Sequence, residues 1–449
     1  MIVMYVTIAS KITIKGGTQQ VKTFSTEYTA KNLTKHAGLV NLGKFAEKIG
    51  LPGILEKRLT IERGATADYE MSEMVMMLMM GVLAGAKHMS HLVILKADHA
   101  IRKLFGWELF PDASTFGKLF KRFNMGHCHE LSEAEAEARK RVWSKKWFRR
   151  ITLDMDSTVI GVTGSQEGAE KGYNPKKKGQ KSYHPLLCFI AETRECLHNW
   201  FRAGSAYTSN GAVEFLKECY ERIPQRVAQL FVRADSGFFD GDLLDFLESR
   251  QSEYLIKVKM RNLVELLMSQ TSWQREKGKT GIETVVFLHQ CHGWKKARRF
   301  VAIRKLVAVQ TEGVFFPMPQ YEFFCYVTNL PHAPWNIHKL YGQRATSENW
   351  ISWCKSQMAS GTIRTGVFWA NSAIFQSCIL AYNLMIWMMW LTSEKSFHEE
   401  PETIRSWFIL VPATVVTTAR KMTMKLSEHY AFKQQWEEIE QSLSSLRFA

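Results

Sequence analysis

The chain has 449 residues, 46% of them apolar, and 59 lysines and arginines against 43 acidic residues, a formal charge of +16. That length exceeds what one hydrophobic core supports, so two or three domains are expected, and the excess of positive charge implies a polyanionic partner, nucleic acid being the natural one. The eight cysteines form no CxxC pair and no framework spacing, which excludes a disulfide scaffold and reads as buried thiols in a reducing compartment; the neighbouring side chains of His127, Cys128 and His129 diverge on a helix, against a zinc site.

In chain order, residues 1–30 alternate like a short β-hairpin with a polar tail and lack both the basic start and the long apolar core of a secretory signal. From 32 to 123 the pattern is helical. Leu39, Leu42, Phe45, Ala46 and Ile49 recur at helical spacing, and a Met-rich helix spans 71–86. In ELFPDASTFGKLFKRFN (108–124), Asp112 or Ser114 can cap a helix carrying Lys118, Lys121 and Arg122. Such a unit is either a helix-turn-helix reader of DNA or a plain three- or four-helix bundle. Residues 131–147 read as a charged helix and linker.

A change of period follows. RRITLDMDSTVIG (149–161) alternates like a strand, with Thr152, Asp154 and Asp156 on one side, so the period alone cannot choose between the two acids. SYHPLLCFIAE (182–192) and CLHNWFRAG (196–204) are further strand candidates. A helix over 209–222, the strand in AQLFVRADSGF (228–238), a helix over 240–249 and the strand YLIKVKM (254–260) complete a β-β-β-α-β-α-β order. ETVVFLHQ (283–290), RRFVAIRKLVAV (298–309) and YEFFCYVTNL (321–330) are additional strands. Basic clusters at 140–150, 171–181 and 293–299, interleaved with Trp, Tyr and Asn, favour a surface that tracks phosphates. Residues 373–391 approach the length of a membrane span, but Gln376, Ser377 and Asn383 interrupt them, and a buried core helix is expected. The rest of the chain reads as largely helical, with a basic stretch at 414–429 and an amphipathic helix over 433–446 suited to a subunit contact.

In YGQRATSENWISWCK (341–355), read as one helix, Tyr341, Arg344, Glu348 and Lys355 fall within a wedge of roughly 60° while Trp350, Ile351, Trp353 and Cys354 gather opposite. An Asp inside one strand, an Asp ending another and a Glu on a later helix can converge on divalent cations, for which oxygen donors suit Mg²⁺ or Mn²⁺. These residues carry a resemblance. Asp156 in DST, Asp235 in ADSGF and Glu348 in the pattern Y-x2-R-x3-E-x6-K resemble the DDE triad of bacterial insertion-sequence transposases of the Tyr-Arg-Glu-Lys (YREK) signature group. The likeness is denser in the subgroup that also carries a GYNPKK segment, here at 172–177, and it extends from about residue 33 to about 426.

The resemblance implies an α/β fold: an RNase H-like mixed sheet with a β-rich insertion, preceded by an all-helical DNA-binding domain and followed by a helical tail. The expected boundaries are 1–145 for the DNA-binding domain, 146–395 for the catalytic domain with its insertion over about 261–335, and 396–449 for a helical region able to mediate dimerisation. It also implies metal-dependent cleavage of transposon ends and strand transfer into target DNA, with Asp156, Asp235 and Glu348 holding two Mg²⁺ or Mn²⁺ ions. The family pattern favours Asp156, immediately before the Ser-Thr pair, over Asp154. Tyr341, Arg344 and Lys355 are expected to grip phosphates, Lys176, Lys177 and Lys178 to follow the DNA backbone, Lys121 and Arg122 to bind the terminal repeats, and Trp294 of the insertion to stack on a displaced base. Partners would be terminal inverted repeats, target DNA and a second copy of the chain, in the cytoplasm and without a membrane. A nuclease that does not join ends, or a catalytically silent DNA-binding regulator, are the alternatives.

Overall fold

A computed structural model describes residues 11–14, 17–20 and 26–448, apart from 63, 65–66, 175–176, 225–226, 261–262, 311–317 and 420; Lys176 and the expected hairpin's first ten residues therefore lie outside the described residues. The alternating segment that carries Asp156 forms β1 (Arg150–Ser157), third from one edge of a nine-stranded mixed sheet. The other strands, in chain order, are β2 (Leu186–Ile190), β3 (Cys196–Trp200), β4 (Gln229–Ala234), β5 (Glu253–Lys257), β6 (Gln274–Arg275), β7 (Ile282–His289), β8 (Arg298–Gln310) and β9 (Met318–Thr328). Their spatial order is β6-β7-β8-β9-β5-β4-β1-β2-β3. β1, β2 and β3 form an antiparallel meander, while β4 and β5 run parallel to β1. The expected β-β-β-α-β-α-β order is observed. The insertion is not a separate piece, because β9 pairs antiparallel with β5 and simply continues the same sheet.

The helices that position the site are α1 (Met71–Leu83), α2 (Met125–Trp143), α3 (Ala212–Glu221), α4 (Gly241–Ser249), α5 (Pro334–Gly342), α6 (Ala345–Ser356), α7 (Phe368–Thr392) and α8 (Lys433–Ser445). Side chains one apart on a strand face opposite ways, so Phe231 and Leu255 pack with Ile337 of α5, while Tyr254 donates its hydroxyl to Glu248 of α4 on the other face. The helices α5 and α6 therefore lie on the face shared by Asp154, Arg233 and Phe189, whose ring meets Trp350 and Tyr382.

All residues of α7 from Ala370 to Trp390 are buried, which is why its sequence is apolar on every side. It meets α1, α2, α6, α8, the helices Leu39–Lys48 and Ala113–Phe120, and β3. Although α7 is long and apolar enough to cross a membrane, 94% of its most apolar window is enclosed by the protein. Asn383, one of its interrupting polar residues, exchanges hydrogen bonds with the backbone of Cys196 at 2.9 and 2.8 Å. One apolar cluster runs from Leu39 to Leu443, so the N-terminal helices and the sheet share a core.

The segment expected as helix and linker over 131–147 is the largely buried second half of α2 up to Trp143, followed by an exposed connection at 144–147. Arg139, fully buried, donates to Glu195 at 2.8 Å, to Glu135 at 2.7 Å and to the Cys196 carbonyl at 2.8 Å. Glu195 also accepts from the indoles of Trp143 and Trp387 at 2.7 and 2.6 Å and from the Thr193 hydroxyl at 2.9 Å.

Four local expectations change. The tail is not helical throughout: Ala413–Thr417 and Met422–Leu426 form a hairpin that pairs with Leu33–Thr34, as β-branched Thr414, Val415, Val416 and Thr417 favour. The apolar face of α8 is spent within the chain, where Trp436, Ile439 and Leu443 are buried. The expected helix over 341–355 breaks at Gly342, Gln343 and Arg344. There three-residue bonds from Arg344 N to Tyr341 O and from Ser347 N to Arg344 O replace the α-helical ladder, so Tyr341 lies in the last turn of α5 while Arg344 precedes α6. Finally, two basic clusters are tied into the fold. Lys295 and Lys296 pair with Asp245 and Glu248 of α4, Arg150 pairs with Glu253, and Lys146 donates to the Trp390 carbonyl. All cysteines except Cys291 are buried, and all are free.

Candidate active site

The parallel pairing of β1 with β4 sets Arg233 beside Asp154 and Ala234 beside Met155. One residue further on, Asp156 and Asp235 emerge side by side at the ends of adjacent strands. Each is fixed locally. Asp156 accepts the backbone N–H of Ser157 at 2.8 Å, and Asp235 accepts that of Gly237 at 2.9 Å, capping the short turn Ser236–Phe238. Glu348 enters from the first turn of α6 with its side chain 65% exposed. All three acids line one cleft of about 1200 Å³.

Beneath them lies a layer of arginine. Both oxygens of Asp154 are bound by the Arg233 guanidinium at 2.7 Å, and Asp154 has no exposure, so the period's ambiguity resolves: Asp154 is closed off and Asp156 opens to the cleft. Arg344 is only 4% exposed and reaches Asp156 at 2.9 Å, Glu348 at 3.7 Å and the Met155 carbonyl at 3.2 Å. It supports the acids from below and does not line the cleft. Burial pushes the Asp156 carboxyl up to about 6; Arg344 opposes this, Asp235 adds to it, the Ser157 N–H opposes it and Glu348 adds to it. Tyr341 stands behind the acids with its ring 4.8 Å from that of Tyr326. Its hydroxyl is pushed up to about 12 by burial first, with Arg344 opposing and the three carboxylates adding. Lys355 does line the cleft, and its ammonium holds Thr158 Oγ1 at 3.0 Å and the Val159 carbonyl at 2.7 Å, pinning the chain that leaves β1.

Of the remaining expected residues, Lys177 lines the cleft while the exposed Lys178 does not. Lys121 and Arg122 are exposed just after the helix Ala113–Phe120 and are not part of the cleft lining. Trp294 packs against Phe239 and Phe300 under the Arg298 guanidinium, so close to Gly241 that a Cβ there would meet its ring at 2.7 Å. It too is absent from the cleft wall. Sequence reasoning overlooked Ser157, His184 and Thr208, which form a web in the cleft: the Ser157 hydroxyl meets Thr208 Oγ1 at 3.0 Å and His184 Nε2 at 3.1 Å. The only signal was compositional, a run of small polar residues, AYTSN (206–210), between a strand and a helix.

Hard oxygen donors fixed at two strand ends suit a divalent cation, and the acids' mutual repulsion at Asp156 is offset by a single guanidinium, which leaves room for further positive charge. Among the described residues, however, no three His, Cys, Asp or Glu side chains are gathered closely enough to hold one ion. Glu348 is the most exposed of the three acids, its side chain 65% exposed against 14% for Asp156.

No curated protein matches the chain. Among solved structures, the piggyBac transposase synaptic complex with hairpin DNA is similar at 13% identity over 82% of this chain and 78% of that one, with a TM-score of 0.43. The Mos1 transposase paired-end complex with the left transposon end is similar at 13% identity over 43% of this chain and 60% of that one, with a TM-score of 0.17. Neither likeness is close enough to bear on the site. The family described as Transposase DDE domain group 1 matches residues 18–448, nearly the whole described fold including the strands that present Asp156 and Asp235 and the helix that presents Glu348. The chain belongs to that family of DDE transposases.

Proposed function

We propose that this DDE transposase is a cut-and-paste enzyme of an insertion sequence, which hydrolyses the DNA at the element's terminal inverted repeats and joins the freed 3′-OH to target DNA. The observation that carries this reading is the meeting of Asp156, Asp235 and Glu348, far apart in sequence, in one cleft. The β1–β5 order and pairing support an RNase H-like core. Two Mg²⁺ or Mn²⁺ ions held by these acids would supply Lewis acidity to the attacking and leaving oxygens of the phosphodiester. The chain's own part is positional. Ser157 and Gly237 N–H groups hold the two aspartates in fixed orientations, Arg344 offsets the charge on Asp156 from below, and Glu348 contributes its exposed carboxylate from α6.

In this reading Lys177, Lys259 and Lys355 line the path of the DNA backbone into the cleft, with Lys178 and Lys176 on the same segment. Lys121 and Arg122 bind the duplex of the terminal repeats away from the cleft, and Tyr341 and Arg344 brace the acids instead of gripping phosphates. Residues 1–145 serve end recognition, 146–395 catalysis, and 396–449 brace the N-terminal strand. Joining two ends needs two copies of the chain, acting in the cytoplasm. The test is Asp235→Asn on a duplex carrying one end of the element: nicking should vanish while gel-shift binding persists, and full nicking by the variant would defeat the assignment. Wild-type protein given a pre-cleaved 3′-OH end and target DNA should yield joined product; a nuclease that only cuts would yield none.

A further inference from the structure

Two large aromatic side chains in the cleft are left without a role by the chemistry above. Tyr173 and Tyr207 both line the cleft wall, and they are 64% and 67% exposed; among the other described tyrosines only Tyr28 is exposed to that degree. They sit on segments locked together by glycine. A Cβ on Gly172 would lie 1.9 Å from the Gly204 carbonyl oxygen, and one on Gly204 would lie 2.0 Å from that of Ser182 and 2.4 Å from that of Glu170, so the two backbones touch where only hydrogen fits. The Ser205 hydroxyl adds a bond to Glu170 across the same seam.

The Tyr207 loop is also tied to the catalytic strand. Arg202 donates to the carbonyls of Tyr207 and Asn210 at 3.1 and 2.9 Å, His184 Nδ1 meets the Ala206 carbonyl at 2.5 Å, and Thr208 bonds Ser157, the neighbour of Asp156. Tyr173 follows Gly172 at the seam, and next to it the Asn174 side chain accepts the Lys177 N–H at 3.0 Å. Two exposed rings thus line the same cleft as the carboxylates, together with Lys177 and Lys259. Exposed rings with cations beside them bind single-stranded nucleic acid by stacking bases and pairing phosphates. In a duplex the base faces are covered by their neighbours, so such a surface selects an unpaired nucleotide.

We propose that Tyr173 and Tyr207 form a stacking platform that holds an unpaired nucleotide of a DNA end beside Asp156 and Asp235. This rests on the DNA-cleaving reading above. It also gives the aromatic role that the sequence suggested for Trp294, which is packed inside the fold, to two tyrosines that line the cleft.

The test uses the full-length protein and two probes of one sequence: a blunt duplex, and the same duplex with a short single-stranded overhang containing 2-aminopurine. Wild-type protein should bind the overhang probe more tightly and quench its fluorescence. Tyr173→Ala with Tyr207→Ala should weaken overhang binding by about 5- to 100-fold, the size of lost base–aromatic stacking, and leave blunt-duplex affinity within about twofold. Tyr173→Phe with Tyr207→Phe should keep both affinity and quenching, since a phenyl ring stacks equally well. If the alanine variant binds both probes as wild type does, or the phenylalanine variant loses the overhang preference, the platform is overturned while the DNA reading stands. If wild-type protein binds neither probe, the DNA reading itself fails.

Discussion

Two groups of carboxylates, contributed by the sheet and the helices packed on it, are treated in opposite ways. Around Arg139, the acids Glu135 and Glu195 are enclosed and supplied with donors: a guanidinium, two indoles, the Thr193 hydroxyl and the Asn383 amide. At the ends of β1 and β4, Asp156, Asp235 and Glu348 share one guanidinium and a few backbone N–H groups, and they open to solvent. The first arrangement satisfies each acid and locks α2, α7 and the β2–β3 turn together. The second leaves negative charge unmatched where a substrate can enter. Burial alone does not mark a functional acid; a shortage of donors at an open cleft does.

The sharpest way to break the comparison is to exchange the roles of single residues. Glu348→Gln should cut end-nicking by about 1000-fold or more, several kcal/mol of transition-state stabilisation, because it removes a metal-ligand charge. Its unfolding free energy in urea should stay within about 0.5 kcal/mol of wild type, since the side chain is mostly exposed. Unchanged nicking would place Glu348 outside the machinery. Arg139→Met should do the reverse, costing about 3–5 kcal/mol by leaving Glu135 and Glu195 buried without their cation, measured by urea unfolding; a loss under about 1 kcal/mol would show that the indoles and amide suffice.

The smallest effect concerns His198 on β3, a third buried polar group, which donates to Glu218 at 2.8 Å. Burial depresses the His198 imidazole to about 4, against an ordinary value of 6.5. A base with a depressed folded pKa is stable neutral, so the unfolded chain takes up the proton first. Stability is therefore full above pH 6.5 and falls as pH drops toward 4, by on the order of 2 kcal/mol between pH 7 and 5. Glu218 is itself depressed to about 2; although burial opposes this, its bonds from His198 and Trp200 hold it ionised, and its contribution is lost only at lower pH, below about 4.5. Unfolding curves of wild type and His198→Gln at both pH values check this: the variant should lose less stability than wild type on acidification.

Where contacts are local or follow strand period, the sequence was readable. Alternation found β1, an apolar run ending in Asp235 found β4, and parallel pairing then put the two acids side by side. What the sequence could not show depends on partners far along the chain. The β-branched run at 414–417 signals a strand locally, but its pairing with Leu33–Thr34 does not show in the sequence, and Lys295 and Lys296 look like free cations until α4 is seen beside them. The break at Gln343 and Arg344 keeps helical dihedrals, so a helical wheel passes over it. The Tyr207 loop has no period at all, and its place in the cleft comes from backbone contact at Gly172 and Gly204.

The central position of α7 also bears on how the protein is made. The helix Leu39–Lys48 and α1 pack on residues 368–392, and Leu33–Thr34 waits for a strand beginning at Ala413. A ribosome adding about 5–20 residues per second leaves those early Met- and Leu-rich surfaces without their mate for tens of seconds. Nascent chains therefore have reason to shelter with a chaperone until translation has passed the last third of the message.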